Sequence, residues 1–412
     1  MTDFHLRTTC RLCDGVLNLG ISLTPTPLAN ELVTKEFVDS GKEQDVFPLD
    51  VMVCQDCAHV QLSAVVNPER LFRHYPYRSG ASAQFVAHLD RYARALRARL
   101  PTWRTPFVVE IGSNDGTLQR QLHGYGCNVH GVDPADNITK IAEQSGMSVT
   151  RDFFTPSVAA RIRDDLGRAD MVIANHVFAH ADDLRGMAAA VKEVLIPGGT
   201  FVFEVGYLVD VIEKKLFDVI YAEHQSFHHV HPLVRFFDRL GMSLFDVQRV
   251  DTQGGSIRCF VCVGLQPGEN LTKILGEEKR FDFGMHDGVQ AGLAWLSKEV
   301  QRRKEDLLRL LLELTPTGQS IAAYGAPAKA TTFLHQFGIG KEILDFVVDD
   351  SPLKQGLYLP GKQIPILAPE ELYKRNPDYC LILAWNFAEQ ILRNNKELAG
   401  KWIVPLPELR VV

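Results

Sequence analysis

Short apolar runs recur between residues 105 and 263, each closed by a polar or glycine-bearing turn. The runs at 107–111, 129–132, 148–150, 171–174 and 200–205 have the length and β-branched content of buried strands. The stretches between them read as helices, beginning with 117–123. Strands alternating with helices predict a parallel, doubly wound sheet of the α/β class. Two last strands, 244–249 and 257–263, are joined through Gln253, Gly254 and Gly255 and predict a closing hairpin. Ahead of the sheet, 81–100 reads as a helix with Phe85, Leu89, Tyr92 and Leu96 on one face.

Beyond residue 265 the pattern becomes helical and charged, with a long amphipathic run over 289–314 that predicts a bridge to a further unit. That unit begins at Gln319 as strand, turn and helix, with Gly325 in the turn and Lys329 just after it. A strand over 344–350 ends in Asp349 and Asp350, and a third covers 379–384. The C-terminal part therefore reads as a second, Rossmann-like domain. It lacks the three-glycine fingerprint of a dinucleotide site, which favours a domain that lends loops to a neighbouring pocket over a second nucleotide site.

The length of 412 residues exceeds one ordinary core and predicts two or three domains. An apolar fraction of 46%, a charged fraction of 23% and a net charge of −6 are those of a soluble protein without a general affinity for nucleic acid or membrane surfaces. No apolar leader is visible at the N-terminus, and the best apolar run, 307–314, holds Arg309 and Glu313. These features predict a cytoplasmic location, where thiols stay reduced.

That location makes the cysteines informative. Cys10 and Cys13, then Cys54 and Cys57, form two Cys-x-x-Cys knuckles in polar settings. Two knuckles supply four thiolates for one tetrahedral structural zinc and leave no open position for catalysis. The zinc module covers residues 1–70, with residues 24–30 a loop by their prolines. Cys259 and Cys262 share that spacing but lie in a strand, which points them to opposite faces and into the core. Cys127 and Cys380 read as single buried residues. After the second knuckle, residues 68–80 are aromatic and basic, with Tyr75 among them, and either line a pocket or pack between domains.

The first strand of the sheet ends in Glu110 and is followed by Gly112, Ser113, Asn114, Asp115 and Gly116. Strand, glycine turn and helix bring backbone N–H groups close to a bound cofactor. The polar residues of this turn suit a cationic amino-acid ligand better than a pyrophosphate. Asp133, at the end of the second strand, stands where a ribose hydroxyl pair is gripped. Together these resemble motifs I and II of class I S-adenosylmethionine (SAM) methyltransferases. Asp152 and Asn175 follow the third and fourth strands, where ligands of open α/β sheets lie. By the resemblance Asp152 meets the adenine and Asn175 the methionine end; the alternative for Asp152 is an N-cap of the next helix.

Tyr221, Glu223 and His224 fall within four residues, and His228, His229 and His231 follow. On spacing alone three readings stand: acid–base catalysis by His224 or Glu223, a metal site built from the histidines, or a helix end with solvated histidines. The order of motifs across the chain resembles the nucleotide-sugar C-methyltransferases of deoxysugar biosynthesis. It comprises the paired Cys-x-x-Cys module, Tyr75-Pro76-Tyr77, the Glu110 to Gly116 turn, the Phe217 to His224 stretch, and Tyr324-Gly325-Ala326 with Lys329. The resemblance implies a zinc module, a SAM-binding domain over 71–265, and a helical linker with a Rossmann-like domain over 266–412. It implies methylation at C3 of a nucleotide-linked 4-keto-6-deoxysugar through an enolate, with His224 as general base. Glu223 and Tyr221 then stand near the keto oxygen, with Tyr75 and His180 as further active-site residues. It also implies SAM as cofactor, a monomer or small homo-oligomer, and no nucleic-acid or membrane partner. Gln253 departs from the family, which often has histidine there. An O- or N-methyltransferase of the same fold, or a non-catalytic SAM- or sugar-binding protein, are the competing classes.

Overall fold

Seven strands form the central sheet of the protein, in the order Ser243–Val250, Ser256–Cys262, Leu195–Gly206, Ala169–Asn175, Phe107–Ile111, Asn128–Val132, Ser148–Thr150. The structure, a computed structural model, describes residues 3–314, 318–398 and 400–412. The five strands from Leu195–Gly206 to Ser148–Thr150 are parallel, and Ser256–Cys262 runs antiparallel to both its neighbours. The middle strands are largely apolar because helices cover both faces. On one face Leu89, Tyr92 and Leu96 of helix Ala83–Arg97 pack with Leu118, Ile173, Val202 and Phe260. On the other, Phe201 and Phe203 meet Phe178 and Phe237. Val202 lies between those two phenylalanines in sequence and faces the opposite layer, as the two-residue period of a strand requires.

The N-terminal sheet runs in the order Ser226–Phe227, Val60–Leu62, Phe47–Cys54, Leu17–Thr26. Its first strand comes from far along the chain: Ser226 pairs with Gln61 and Phe227 with Val60. The strand Leu17–Thr26 includes Thr24, Pro25 and Thr26, which the prolines had suggested were loop. It lies at the edge of the sheet and its register shifts between Leu23 and Thr26, so Pro25 leaves no ladder partner unsatisfied. Cys10, Cys13, Cys54 and Cys57 converge as expected, with sulfurs 3.6 Å apart for Cys10–Cys57 and 3.4 Å for Cys13–Cys54 and Cys13–Cys57. Four sulfurs bound at about 2.3 Å to one tetrahedral zinc sit at roughly this separation, so the set fits the metal. The remaining cysteines, Cys127, Cys259, Cys262 and Cys380, are buried and free.

The C-terminal sheet is ordered Ile366–Leu367, Val347–Val348, Ile321–Tyr324, Tyr379–Ile382, Lys401–Val404, Arg410–Val411, parallel except for its last pair. Only Val347–Val348 of the expected 344–350 strand joins the ladder. The long helix His286–Leu314 links the two α/β units and also lies on the N-terminal sheet, where Gln290 Nε2 donates to the Leu19 carbonyl at 2.7 Å. The three parts thus share contacts. Among the described residues no helix is long and apolar enough to cross a membrane.

The cysteine geometry has a measurable consequence. Cys54→Ser is expected to reduce bound zinc from about one per chain to a small fraction and to lower the thermal midpoint, because metal binding contributes to folding. Metal analysis of the purified variant, alongside a melting curve, checks this; full zinc occupancy in the variant contradicts it.

Candidate functional site

The turn after strand Phe107–Ile111 is shaped by residues of positive φ. Gly112 has φ of 70°, and a Cβ there would come within 2.2 Å of Val177 Cγ2, so only glycine fits. Asn114 is also left-handed at 50°, and its N–H donates to Asp133 Oδ2 at 2.9 Å. Asp133 Oδ1 accepts from the Ala135 N–H at 2.9 Å. Burial raises the Asp133 pKa, and these two N–H groups work against the rise. Motifs I and II are therefore joined by a direct hydrogen bond.

Around this turn lie buried polar groups without partners among the described residues: Glu110 Oε2, Ser113 Oγ, and both side-chain polar atoms of Asn175. Buried polar atoms ordinarily find a partner, so the set fits a ligand rich in donors and acceptors such as SAM. Burial, with Asp133 and Asp115 nearby, holds the Glu110 pKa well above the usual carboxylate range. Asp152 is different. It is half-exposed, its Oδ1 accepts from the adjacent Phe153 N–H at 2.8 Å, and it lies 3.7 Å from Arg73. It does not cap the next helix either; Thr155 does, accepting from the Val158 N–H.

Asn114 and Asp115 direct their side chains elsewhere than expected, onto the segment 73–80. Asn114 accepts from the Ser79 N–H at 2.9 Å and donates to the Tyr77 carbonyl at 3.1 Å. Asp115 accepts from the Gly80 N–H at 3.0 Å. Asn137, just past Asp133, accepts from the Tyr75 N–H at 3.0 Å and donates to the Tyr75 carbonyl at 2.8 Å. The aromatic connector is thus strapped across the carboxyl ends of the strands. From it Tyr75 donates its hydroxyl to Glu223 Oε2 at 3.0 Å.

Glu223 is buried, and Asn30 of the N-terminal module donates to its Oε1 at 2.7 Å. Burial pushes its pKa up to about 7, against the two hydrogen bonds. His224 donates Nδ1–H to the Val219 carbonyl at 2.6 Å, since a carbonyl only accepts. That fixes the tautomer and leaves Nε2 as the lone-pair nitrogen. Burial lowers the His224 pKa to about 4, so the ring is neutral at pH 7. Its ring lies 4.0 Å from that of Tyr221 and 5.2 Å from that of His180. Burial keeps Tyr221 and Tyr75 protonated and His180 neutral. The five residues Tyr75, His180, Tyr221, Glu223 and His224 therefore form one cluster.

The other two readings of this stretch do not hold. His228 and His229 are fully buried rather than solvated, and His229 donates to the Phe283 carbonyl at 2.9 Å. His231 pairs with Glu278 at 2.7 Å. Among the described residues the four cysteines are the one group placed to hold a metal ion.

Several neighbours escaped the sequence. Asn30 sits in a segment with no motif, and Asn137 in an ordinary helix. Glu204 is buried beside Asn175 in the ladder, held by Arg258 at 2.8 Å and by the Thr252 hydroxyl at 2.8 Å. From the C-terminal domain, Lys329 lies 3.6 Å over the Trp385 ring and donates to Asn386 at 2.7 Å, while Trp385 donates to buried Asp218 at 2.5 Å. Lys329 thus faces the loop that carries Tyr221. At the Gly325 turn, Ala384 would lie 2.6 Å from an added Cβ, and Asp349 accepts from the Ala326 N–H at 2.7 Å. Gln253 is exposed in its hairpin, at φ of 51°.

Residues 10–72 match a family described as "Putative zinc binding domain", 85–246 a "Methyltransferase domain", and 251–407 a "C-methyltransferase C-terminal domain". The C-methyltransferase NovU of Streptomyces niveus is 33% identical over 411 residues, covering 98% of this chain and 96% of that protein. Two solved structures are more distant. Magnesium protoporphyrin IX methyltransferase of Synechocystis PCC 6803 with bound SAM is 14% identical with a TM-score of 0.33, over 44% of this chain and 79% of that one. The glycopeptide N-methyltransferase MtfA complexed with SAM is 14% identical with a TM-score of 0.35, over 46% of this chain and all of that one. The near-complete match to NovU and the three matched domains show that the chain belongs to the family of SAM-dependent C-methyltransferases.

Proposed function

We propose that this enzyme methylates C3 of a nucleotide-linked 4-keto-6-deoxysugar, with His224 as the general base. The observation that carries the reading is the His224 Nδ1–H hydrogen bond to Val219, which leaves a neutral imidazole with Nε2 free beside Glu223 and Tyr221. A ring carbon becomes nucleophilic only when it loses a proton. An adjacent keto group permits this by accepting the electron pair as an enolate. The proton passes from C3 to His224 Nε2, and the C3–H electron pair moves toward the keto oxygen. The negative charge that develops beside the ring raises the basicity of His224 in the complex above its value in the free enzyme.

Glu223 and Tyr221 are the groups assigned to the keto oxygen. Tyr75 and Asn30 occupy one lone pair on each Glu223 oxygen, so a protonated Glu223 keeps its O–H for the substrate. Bound SAM supplies an electrophilic methyl group. Glu110, Gly112, Asp133 and Asn175 are proposed to hold the cofactor, and Asn114 and Asp115 to act through the strap. Asp152 contributes less than the family pattern suggests, given its exposure. The strap, the N-terminal module and the Lys329 edge of the C-terminal domain exclude water from the cluster and align the partners.

His224→Ala is expected to reduce turnover by about 100-fold or more, in the range of general-base losses, while SAM affinity by calorimetry stays near that of the parent. Wild-type turnover in the variant would remove the base assignment. The pH profile tests Glu223. With His224 required neutral and Glu223 required protonated, kcat/KM rises through about pH 4 and falls through about pH 7. Glu223→Gln keeps a neutral donor and is expected to abolish the alkaline fall; its persistence in the variant would assign that limb to another group.

A further inference from the structure

Arg11 lies between the two cysteines of the first knuckle and is 2% exposed. Its guanidinium is spent on two loops remote in sequence. Nη1 donates to the Gln225 carbonyl at 3.1 Å and Nη2 to Gln225 Oε1 at 2.5 Å. The Gln225 amide in turn donates to the Ala222 carbonyl at 3.0 Å, which brackets Glu223 and His224. Nε donates to Asp182 Oδ1 at 3.0 Å, two residues beyond His180. Nη1 also reaches the Leu62 carbonyl at 2.8 Å, and the Arg11 N–H donates to Gln61 Oε1 at 2.8 Å. One planar, permanently charged group thus ties down the His180 loop and the His224 loop together, at the point where their rings stack.

We propose that Arg11 is a positioning residue for the His180–His224 pair, so that the zinc knuckle sets catalytic geometry as well as stabilising its own module. The claim rests on the cluster reading above. The Asp182 carboxylate, 3.0 Å from Nε, is the counter-charge of the buried guanidinium. A fork of this kind cannot be replaced by a lysine ammonium, which offers one donor centre for the three directions used here. The knuckle fixes where the fork starts: the backbone on either side of Arg11 belongs to Cys10 and Leu12, and Cys10 and Cys13 are proposed zinc ligands. A metal-bound knuckle therefore delivers the guanidinium to a defined place.

The test uses Arg11→Lys and Asp182→Ala in the full-length, zinc-loaded protein. Zinc content and SAM affinity report folding; the histidine ring NMR signals report positioning. His180 and His224 are assigned by their loss in His180→Gln and His224→Gln. In both variants we expect parental zinc content and SAM affinity, displaced or broadened ring signals for the two histidines, and turnover reduced roughly tenfold to 100-fold with little change in KM. Ring signals that coincide with the parent in both variants would overturn the proposal. Should Arg11→Lys not fold, Asp182→Ala decides alone, since that side chain is 33% exposed and its loss is tolerable. Displaced rings with undiminished turnover would also overturn it, because the tether would then not set catalytic geometry. Wild-type turnover in His224→Gln would instead remove His224 as the base and leave the ring readout intact, so the two claims fail separately.

Discussion

Everything in the site depends on how the loop over residues 217–227 is held. It carries Tyr221, Glu223 and His224, and each part of the molecule grips it at a different place. The N-terminal module pairs a strand with Ser226 and Phe227, reaches Gln225 through Arg11, and reaches Glu223 through Asn30. The strap brings Tyr75 to Glu223. The C-terminal domain adds Trp385 to Asp218, and Thr332 donates to the Ile220 carbonyl at 2.8 Å. A loop with so many outside partners has few alternative conformations. Its buried acid and imidazole stay where low solvent access shifts their titration toward neutral forms.

The same arrangement makes the proposed cofactor turn and the proposed reacting cluster parts of one hydrogen-bonded frame. Asp133 fixes Asn114, Asn114 and Asp115 hold the strap, Asn137 clamps Tyr75, and Tyr75 bonds Glu223. A change at the turn is transmitted through five or so hydrogen bonds, each worth about 1 kcal/mol, to the acid of the cluster. Both substrates of a methyl transfer must be aligned at once, and a shared frame achieves that without large motion.

The strands could be read from sequence because their apolar runs are short, continuous and bounded by turns; Phe107–Ile111 and Ser148–Thr150 fall where the pattern puts them. The cysteine knuckles could be read because few other arrangements use two Cys-x-x-Cys pairs in polar settings. Pro25 misled, since a proline signals loop in general but is tolerated at a shifted edge strand. His228 and His229 misled because a histidine counts as polar in any pattern, whereas here both are buried among aromatic rings. Asn30, Arg11 and the pairing of Ser226 with Gln61 were beyond reach for a different reason. Each depends on a contact across more than 150 residues, which leaves no periodicity behind. The cluster of Tyr75, His180, Tyr221, Glu223 and His224 came from the order of motifs, and spacing alone left it open.

The most direct measurement is solvent deuterium uptake. The protein is incubated in heavy water with a nucleotide-linked 4-keto-6-deoxysugar, with and without SAM, and the sugar is read by mass and proton spectra. The account predicts enzyme-dependent exchange at C3, and a new carbon-bound methyl group when SAM is present. A methyl group on oxygen or nitrogen with no exchange at C3 would contradict it.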